Sequence, residues 1–289
     1  MNILVIKHGA LGDIVLALPA MAAIRAAHPH DHITLLTTAP YAALLKASPY
    51  FDDILQDSRP SAWNLPGLLA LRRRLRGFSL VYDLQTSARS TRYYALAGKP
   101  RWSGIAKGCA FQHADPNRDH LHTRERLVGQ LLAAGIPALP AAELGWLTAA
   151  DISRFNLPAS FALLVPGAAP HRPEKRWPHF AALVPRLALP AVIVGSAGEG
   201  AGIPGRDLTG QTSLLELASI IARATLAIGN DTGPMHLAAA LGVPSLVLFS
   251  AASNPALTAP RTPDGGWPVI LSAPSLSDLA VAQVQAALP

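Results

Sequence analysis

The chain has 289 residues, half of them hydrophobic, with 24 Lys and Arg against 18 Asp and Glu and a formal net charge of +6. That length holds two domains with a core each, and the hydrophobic content excludes a disordered or low-complexity chain. A single cysteine, Cys109, excludes an internal disulfide framework and a cysteine-based zinc site, and no apolar run reaches the roughly 20 residues of a membrane helix.

Met1-Asn-Ile-Leu-Val-Ile-Lys7 passes straight into a strand pattern without the regions of a secretory signal, so a cytoplasmic chain is expected. The spacing predicts a strand over 2–6 and the turn Lys7-His-Gly-Ala-Leu-Gly-Asp13. In the helix that follows, Ile14, Leu18, Met21, Ala22 and Ile24 recur as far as His28-Pro29. A strand at 32–36, a helix at 65–75, a strand at 80–84 and a helix at 125–134 closed by Gly135 come next. The pattern weakens between Pro137 and Pro158, which divides a first domain, 1–150, from a second, 151–289. The rhythm resumes with strands at 161–165, 191–194 and 226–228, helices at 179–187 and 214–223, and a terminal helix at 277–288. Strands alternating with helices predict an α/β chain of two Rossmann-like domains, with ligands at the carboxyl ends of parallel strands.

Positive charge is concentrated in Arg72-Arg-Arg-Leu-Arg76 and continues at Arg89, Arg92, Lys99, Arg101 and Lys107. Without the aromatic interleaving of single-strand binders, no nucleic-acid partner is expected. A solvated helix face explains the cluster in structural terms. Contact with an anionic acceptor or an anionic membrane surface is the functional alternative.

The most informative segment is Gly229-Asn-Asp-Thr-Gly-Pro-Met-His236, where a strand gives way to a polar turn and a helix opened by Pro234. Thr232 or Gly233 can cap that helix, whose positive end and free amides suit a phosphate, with Asp231 and His236 beside it. At the end of the first strand Gly9 and Gly12 allow close approach of a ligand. Asp13 either caps the helix or takes a proton from an attacking hydroxyl. After the strand at 161–165 a long loop carries Arg172, Lys175 and Arg176. Lys175 is the leading candidate for neutralising a diphosphate, and the arginines are its rivals. The Gly-rich turn at 195–202 is weak evidence alone, and the Gly-x-Gly-x-x-Gly fingerprint of dinucleotide enzymes is missing.

These pieces in this order resemble glycosyltransferase family 9, the ADP-heptose:lipopolysaccharide heptosyltransferases and their relatives, over nearly the whole chain. The resemblance rests on Lys7 with Gly12-Asp13-Ile-Val-Leu-Ala-Leu-Pro19, Lys175-Arg-Trp-Pro178, Val194-Gly-Ser-Ala-Gly-Glu199, Leu208-Thr-Gly-Gln-Thr-Ser-Leu214 and the segment 229–236. It implies a GT-B fold facing across a central cleft, with the acceptor on the first domain, the nucleotide-sugar mainly on the second, and the terminal helix packing back on the first. It further implies that Asp13 is the general base of an inverting transfer and that Lys175 stabilises the leaving diphosphate. Thr232 and Gly233 would hold the phosphates, with Asp231, His236 and Gly12 completing the donor site. The donor implied is ADP-heptose-like and the acceptor an anionic glycan or glycolipid, with peripheral contact at the inner membrane compatible with both. No cofactor and no metal are expected. Between Glu199 and Asp207 the chain is shorter than its relatives, which keeps open a different donor, a protein acceptor, or a non-catalytic nucleotide-sugar-binding protein. The missing dinucleotide fingerprint argues against an epimerase.

Overall fold

The computed structural model describes all 289 residues, which form two compact units, Met1–Glu143 and Leu144–Pro289. The division falls slightly before the boundary read from the sequence.

In the first unit the strands are β1 (Asn2–Ile6), β2 (His32–Thr37), β3 (Asp53–Gln56), β4 (Leu80–Asp83), β5 (Arg101–Gly104) and β6 (Phe111–Gln112). They form one parallel sheet in the order β3-β2-β1-β4-β5-β6. Its helices are α1 (Leu11–Ala27), α2 (Ala39–Lys46), α3 (Leu65–Leu75), α4 (Ala88–Leu96) and α5 (Thr123–Ala133). Ile3 to Ile6 are fully buried, because a central parallel strand is covered on both faces and so reads as a continuous apolar run.

The second unit repeats the plan with β7 (Ala162–Val165), β8 (Ala191–Ile193), β9 (Arg206–Asp207), β10 (Leu226–Asn230), β11 (Ser245–Ser250) and β12 (Val269–Ala273). The sheet order is β12-β11-β10-β7-β8-β9, again all parallel. Counted from its own first strand, this is the same order as in the first unit, the order of dinucleotide-type Rossmann sheets. The helices are α6 (Phe180–Leu183), α7 (Leu214–Ala222), α8 (Gly233–Ala240), α9 (Pro255–Thr258) and α10 (Val281–Ala286).

Two sequence expectations need correction. The helix read at 179–187 is α6 followed by a 3-10 turn at Val184–Arg186, because Pro185 has no N–H to continue the α-helical ladder. The terminal helix is only α10, preceded by a 3-10 turn at Leu276–Asp278. Its Val284 is fully buried in the core of the second unit with Trp177, Phe180 and Leu279. The Trp177 indole N–H donates to the Leu279 carbonyl at 2.8 Å and ties this segment down. Between Glu199 and Asp207 there is no helix, only turns and the short strand β9.

Candidate active site

In a sheet of this order, neighbouring strands on either side of the order reversal send their connections to opposite faces, which opens a crevice at their carboxyl ends. The chain has two such points, β1/β4 and β7/β10, and the sequence-predicted residues lie at both.

At β1/β4 the strands end in Lys7 and Asp83. Asp13 sits in the first turn of α1 and is half-buried, with Oδ2 accepting the Ala10 N–H at 3.1 Å. Its capping role is therefore real, and it does not remove the carboxylate from the cavity beside it. That cavity, ≈ 260 Å³, is lined among others by Lys7, Asp13, Gln85, Thr86, Arg118 and Arg126. Arg118 donates to Thr86 Oγ1 at 2.7 Å, and the buried Lys7 ammonium donates to the Leu84 carbonyl at 3.3 Å. Burial lowers the Lys7 pKa, opposed by the Asp13 and Asp83 carboxylates and reinforced by Arg118. Burial pushes the Asp83 carboxyl up to about 6, although the N–H groups of Thr86 and Gln85 pull the other way. Gly12 is buried in the same helical turn.

The turn between β1 and α1 is clamped by residues that the sequence did not single out. His8 donates its backbone N–H to Gln85 Oε1 at 2.9 Å, and its carbonyl accepts Thr38 Oγ1 at 2.7 Å. Its ring Nε2 lies 2.9 Å from Asp57 Oδ2, which also accepts the Tyr93 hydroxyl at 2.7 Å. Burial would raise the Asp57 pKa, but these partners and the Arg59 N–H outweigh it and hold the carboxyl low. Gly9 has φ of 124°, and a Cβ there would run into the Tyr41 ring, so only glycine fits. No sequence spacing links His8, Asp57 and Tyr93. They meet only because β1, β3 and α4 converge at one end of the sheet.

At β7/β10 the organiser is Asn230, fully buried at the end of β10. Its amide donates to the Pro166 carbonyl at 2.7 Å and accepts the Trp177 N–H at 3.1 Å. The long loop is thus fastened two residues past Lys175, whose ammonium donates to Asp231 Oδ2 at 2.6 Å. Ser253 Oγ donates to the same oxygen at 2.7 Å, and His236 Nε2 lies 3.8 Å from Oδ1. Burial would raise the Asp231 pKa, but the nearby His236 ring and the hydrogen bonds from Lys175 and Ser253 outweigh it and hold the carboxyl down at about 2. It is a permanent anion. Ser253, which follows β11, had no recognisable signal in the sequence.

Thr232 is the N-cap of α8, in extended conformation, and its side chain makes no capping bond. Its hydroxyl donates instead to the Asn230 carbonyl at 3.3 Å, while Pro234 has no N–H. The first turn at Gly233 therefore has no side-chain cap, and its amide end lies next to the Lys175–Asp231 pair. The rival arginines are engaged elsewhere: Arg172 with Glu174 and Arg176 with Glu199. Glu199 lies over Gly167 and Gly195, where any Cβ would collide with its carboxylate, so the Gly-rich turn has a packing reason. No group of three or more His, Cys, Asp or Glu side chains gathers as a metal ligand set.

The sequence profile of glycosyltransferase family 9 (heptosyltransferase) matches residues 68–266, more than half of the chain. The chain belongs to that family. It is therefore a glycosyltransferase, related to enzymes of lipopolysaccharide synthesis. Lipopolysaccharide heptosyltransferase 1 of Pseudomonas aeruginosa is 25% identical over 294 aligned residues, covering 89% of this chain and 81% of the relative. Among solved structures, the family 9 glycosyl transferase of Veillonella parvula superposes with a TM-score of 0.79 at 23% identity, covering 99% of this chain and 95% of the other. The ADP-heptose lps heptosyltransferase II of E. coli gives 0.75 at 23% identity, covering 100% and 97%. These likenesses carry the GT-B fold, two Rossmann-like domains in one chain.

Proposed function

We propose that this family 9 enzyme moves a heptose from ADP-heptose to a hydroxyl of an anionic lipopolysaccharide-core sugar, with inversion at the anomeric carbon. The observation that carries the reading is the cavity in which Asp13 stands among Lys7, Arg118 and Arg126. Three cations suit a carboxylated or phosphorylated acceptor; of the two carboxylates in the lining, Asp119 pairs with Arg118, which leaves Asp13 for proton abstraction. The donor assignment draws on the ADP-heptose in the name of the E. coli neighbour.

In this reading the acceptor O–H bond breaks as its proton passes to Asp13, and the oxygen attacks the anomeric carbon. The bond from that carbon to the β-phosphate oxygen breaks, and ADP leaves with the electron pair. Lys175 and the amide end of α8 at Thr232 and Gly233 meet the charge that builds on the diphosphate. Asp231 and Ser253 hold Lys175 at the strand end, and His236 shares that carboxylate. Gly12 leaves room for the donor beside Asp13. With lysine and a helix terminus supplying positive charge, the transfer needs no metal.

Mass-spectrometric product screening with ADP-heptose and other nucleotide-sugars, against core glycans and protein acceptors, tests the proposal. A heptosylated core sugar supports it. Donor binding without transfer to any acceptor favours the non-catalytic alternative, for which the shortened segment after Glu199 is the specific observation.

A further inference from the structure

Helix α3 presents a face to which the proposed transfer assigns no role. Leu71 and Leu75 turn into the core of the first unit, and Arg74 donates to the Gln56 carbonyl at 2.9 Å. On the outward side Leu65, Leu69, Arg72 and Arg76 follow one another at spacings of four, three and four, with Arg73 one turn beyond Leu69. Trp63, just ahead of the helix, is 94% exposed, Leu65 67% and Leu69 54%. Three of the eight exposed large hydrophobics in the chain thus stand within two turns of each other, followed directly by cations.

Charge around this face is one-sided. From residue 58 to 114 there are ten Lys and Arg and a single acid, Asp83, which is buried. That excess is larger than the net charge of the whole chain, +6. Beside Leu68, Arg59, Arg89 and Arg92 line a depression of ≈ 560 Å³ between α3 and α4, so the cationic surface continues past the helix. A protein partner with an acidic groove would satisfy the arginines but has no use for a fully exposed indole and two leucines at one end only. A bilayer satisfies both: indole and leucine enter the boundary below the headgroups while arginines stay at the anionic phosphates.

We infer that α3 and the preceding Trp63 form a docking surface for an anionic phospholipid bilayer, with Trp63, Leu65 and Leu69 inserted and Arg72, Arg73 and Arg76 on the headgroups. The inference rests on surface chemistry and needs neither donor nor acceptor.

Flotation of the full chain with phosphatidylcholine vesicles, with and without phosphatidylglycerol, tests it. The expected result is binding to the anionic vesicles alone, reversed by high salt. Each arginine near such a surface contributes about fivefold to partitioning, so Arg72→Gln/Arg73→Gln/Arg76→Gln should lower it roughly a hundredfold. Trp63→Ser/Leu69→Ser should lower it about tenfold or more. Brominated lipid should quench part of the tryptophan fluorescence of the parent and none of that of Trp63→Phe. All these side chains are exposed, and melting temperatures equal to the parent's show the variants folded. Equal binding to neutral vesicles, no binding, or variants that float like the parent overturn the inference. So does a concentration-dependent dimer abolished by the same substitutions, which would mean that a second copy covers the face. Since the assay contains no substrate, none of these outcomes bears on the transferase reading.

Discussion

The Lys175 ammonium and Asp231 Oδ2 lie 2.6 Å apart, joined at the same oxygen by Ser253. Lys175 is thereby tied to the residue that precedes the α8 N-cap, and Asp231, with its carboxyl held at about 2, is charged at neutral pH. Lys175→Ala and Asp231→Ala should each weaken binding of an adenosine diphosphate donor about tenfold or more, read by titration calorimetry. Unchanged dissociation constants in both would remove the proposed phosphate seat.

The same pair sets a stability signature. A carboxyl whose folded pKa lies below its unfolded value of 3.8 stabilises above that value, and the contribution is lost as pH falls towards 2. Lys175→Met leaves Asp231 buried with one partner fewer and should cost about 1–3 kcal/mol at neutral pH, measured by urea unfolding.

Asp83 works in the opposite sense. Its folded carboxyl is raised to about 6, so its contribution is full below 3.8 and disappears as pH rises through 6. Asp83→Asn keeps an oxygen to accept the Gln85 and Thr86 N–H groups while removing the titration. Stability of the variant should therefore decline less between pH 4 and 7 than that of the parent, the difference reaching about 3 kcal/mol at most.

Asp13→Asn should lower turnover by roughly 10²–10⁴-fold with donor affinity unchanged, since the amide keeps the bond from Ala10 but takes no proton. Full turnover in this variant on an identified acceptor would show that another group removes the proton.

The two strand-end turns were legible as candidate sites because each combines glycine, a carboxylate and a helix start within a few residues, a local signal. What joins them to their surroundings was not. Ser253 reaches Asp231 from 22 positions away and Tyr93 reaches Asp57 from 36, contacts set by sheet order and not by any period in the sequence. Strand β3 was unreadable for a related reason: Asp53-Ile-Leu-Gln56 is a half-exposed edge without alternation or a continuous apolar run. The terminal helix is shorter than its apolar pattern suggested because its first residues, Leu276–Asp278, form a separate 3-10 turn.

Gly9→Ala probes the scaffold alone. Its φ of 124° and the Tyr41 ring both oppose a side chain, so a loss of about 2 kcal/mol or more is expected in thermal unfolding. Adding Tyr41→Ala should recover only the steric part.

Because both sheets run in the same order, each half of the chain has an order reversal of its own, with its own set of polar side chains at the strand ends. Under the proposed function, with the acceptor at the first unit and the donor at the second, the two substrate preferences are separable heritable traits. A chimera carrying residues 1–143 of one family member and the remainder of another should inherit its acceptor from the first parent and its donor from the second, which makes this chain a natural starting point for recombining glycan specificities.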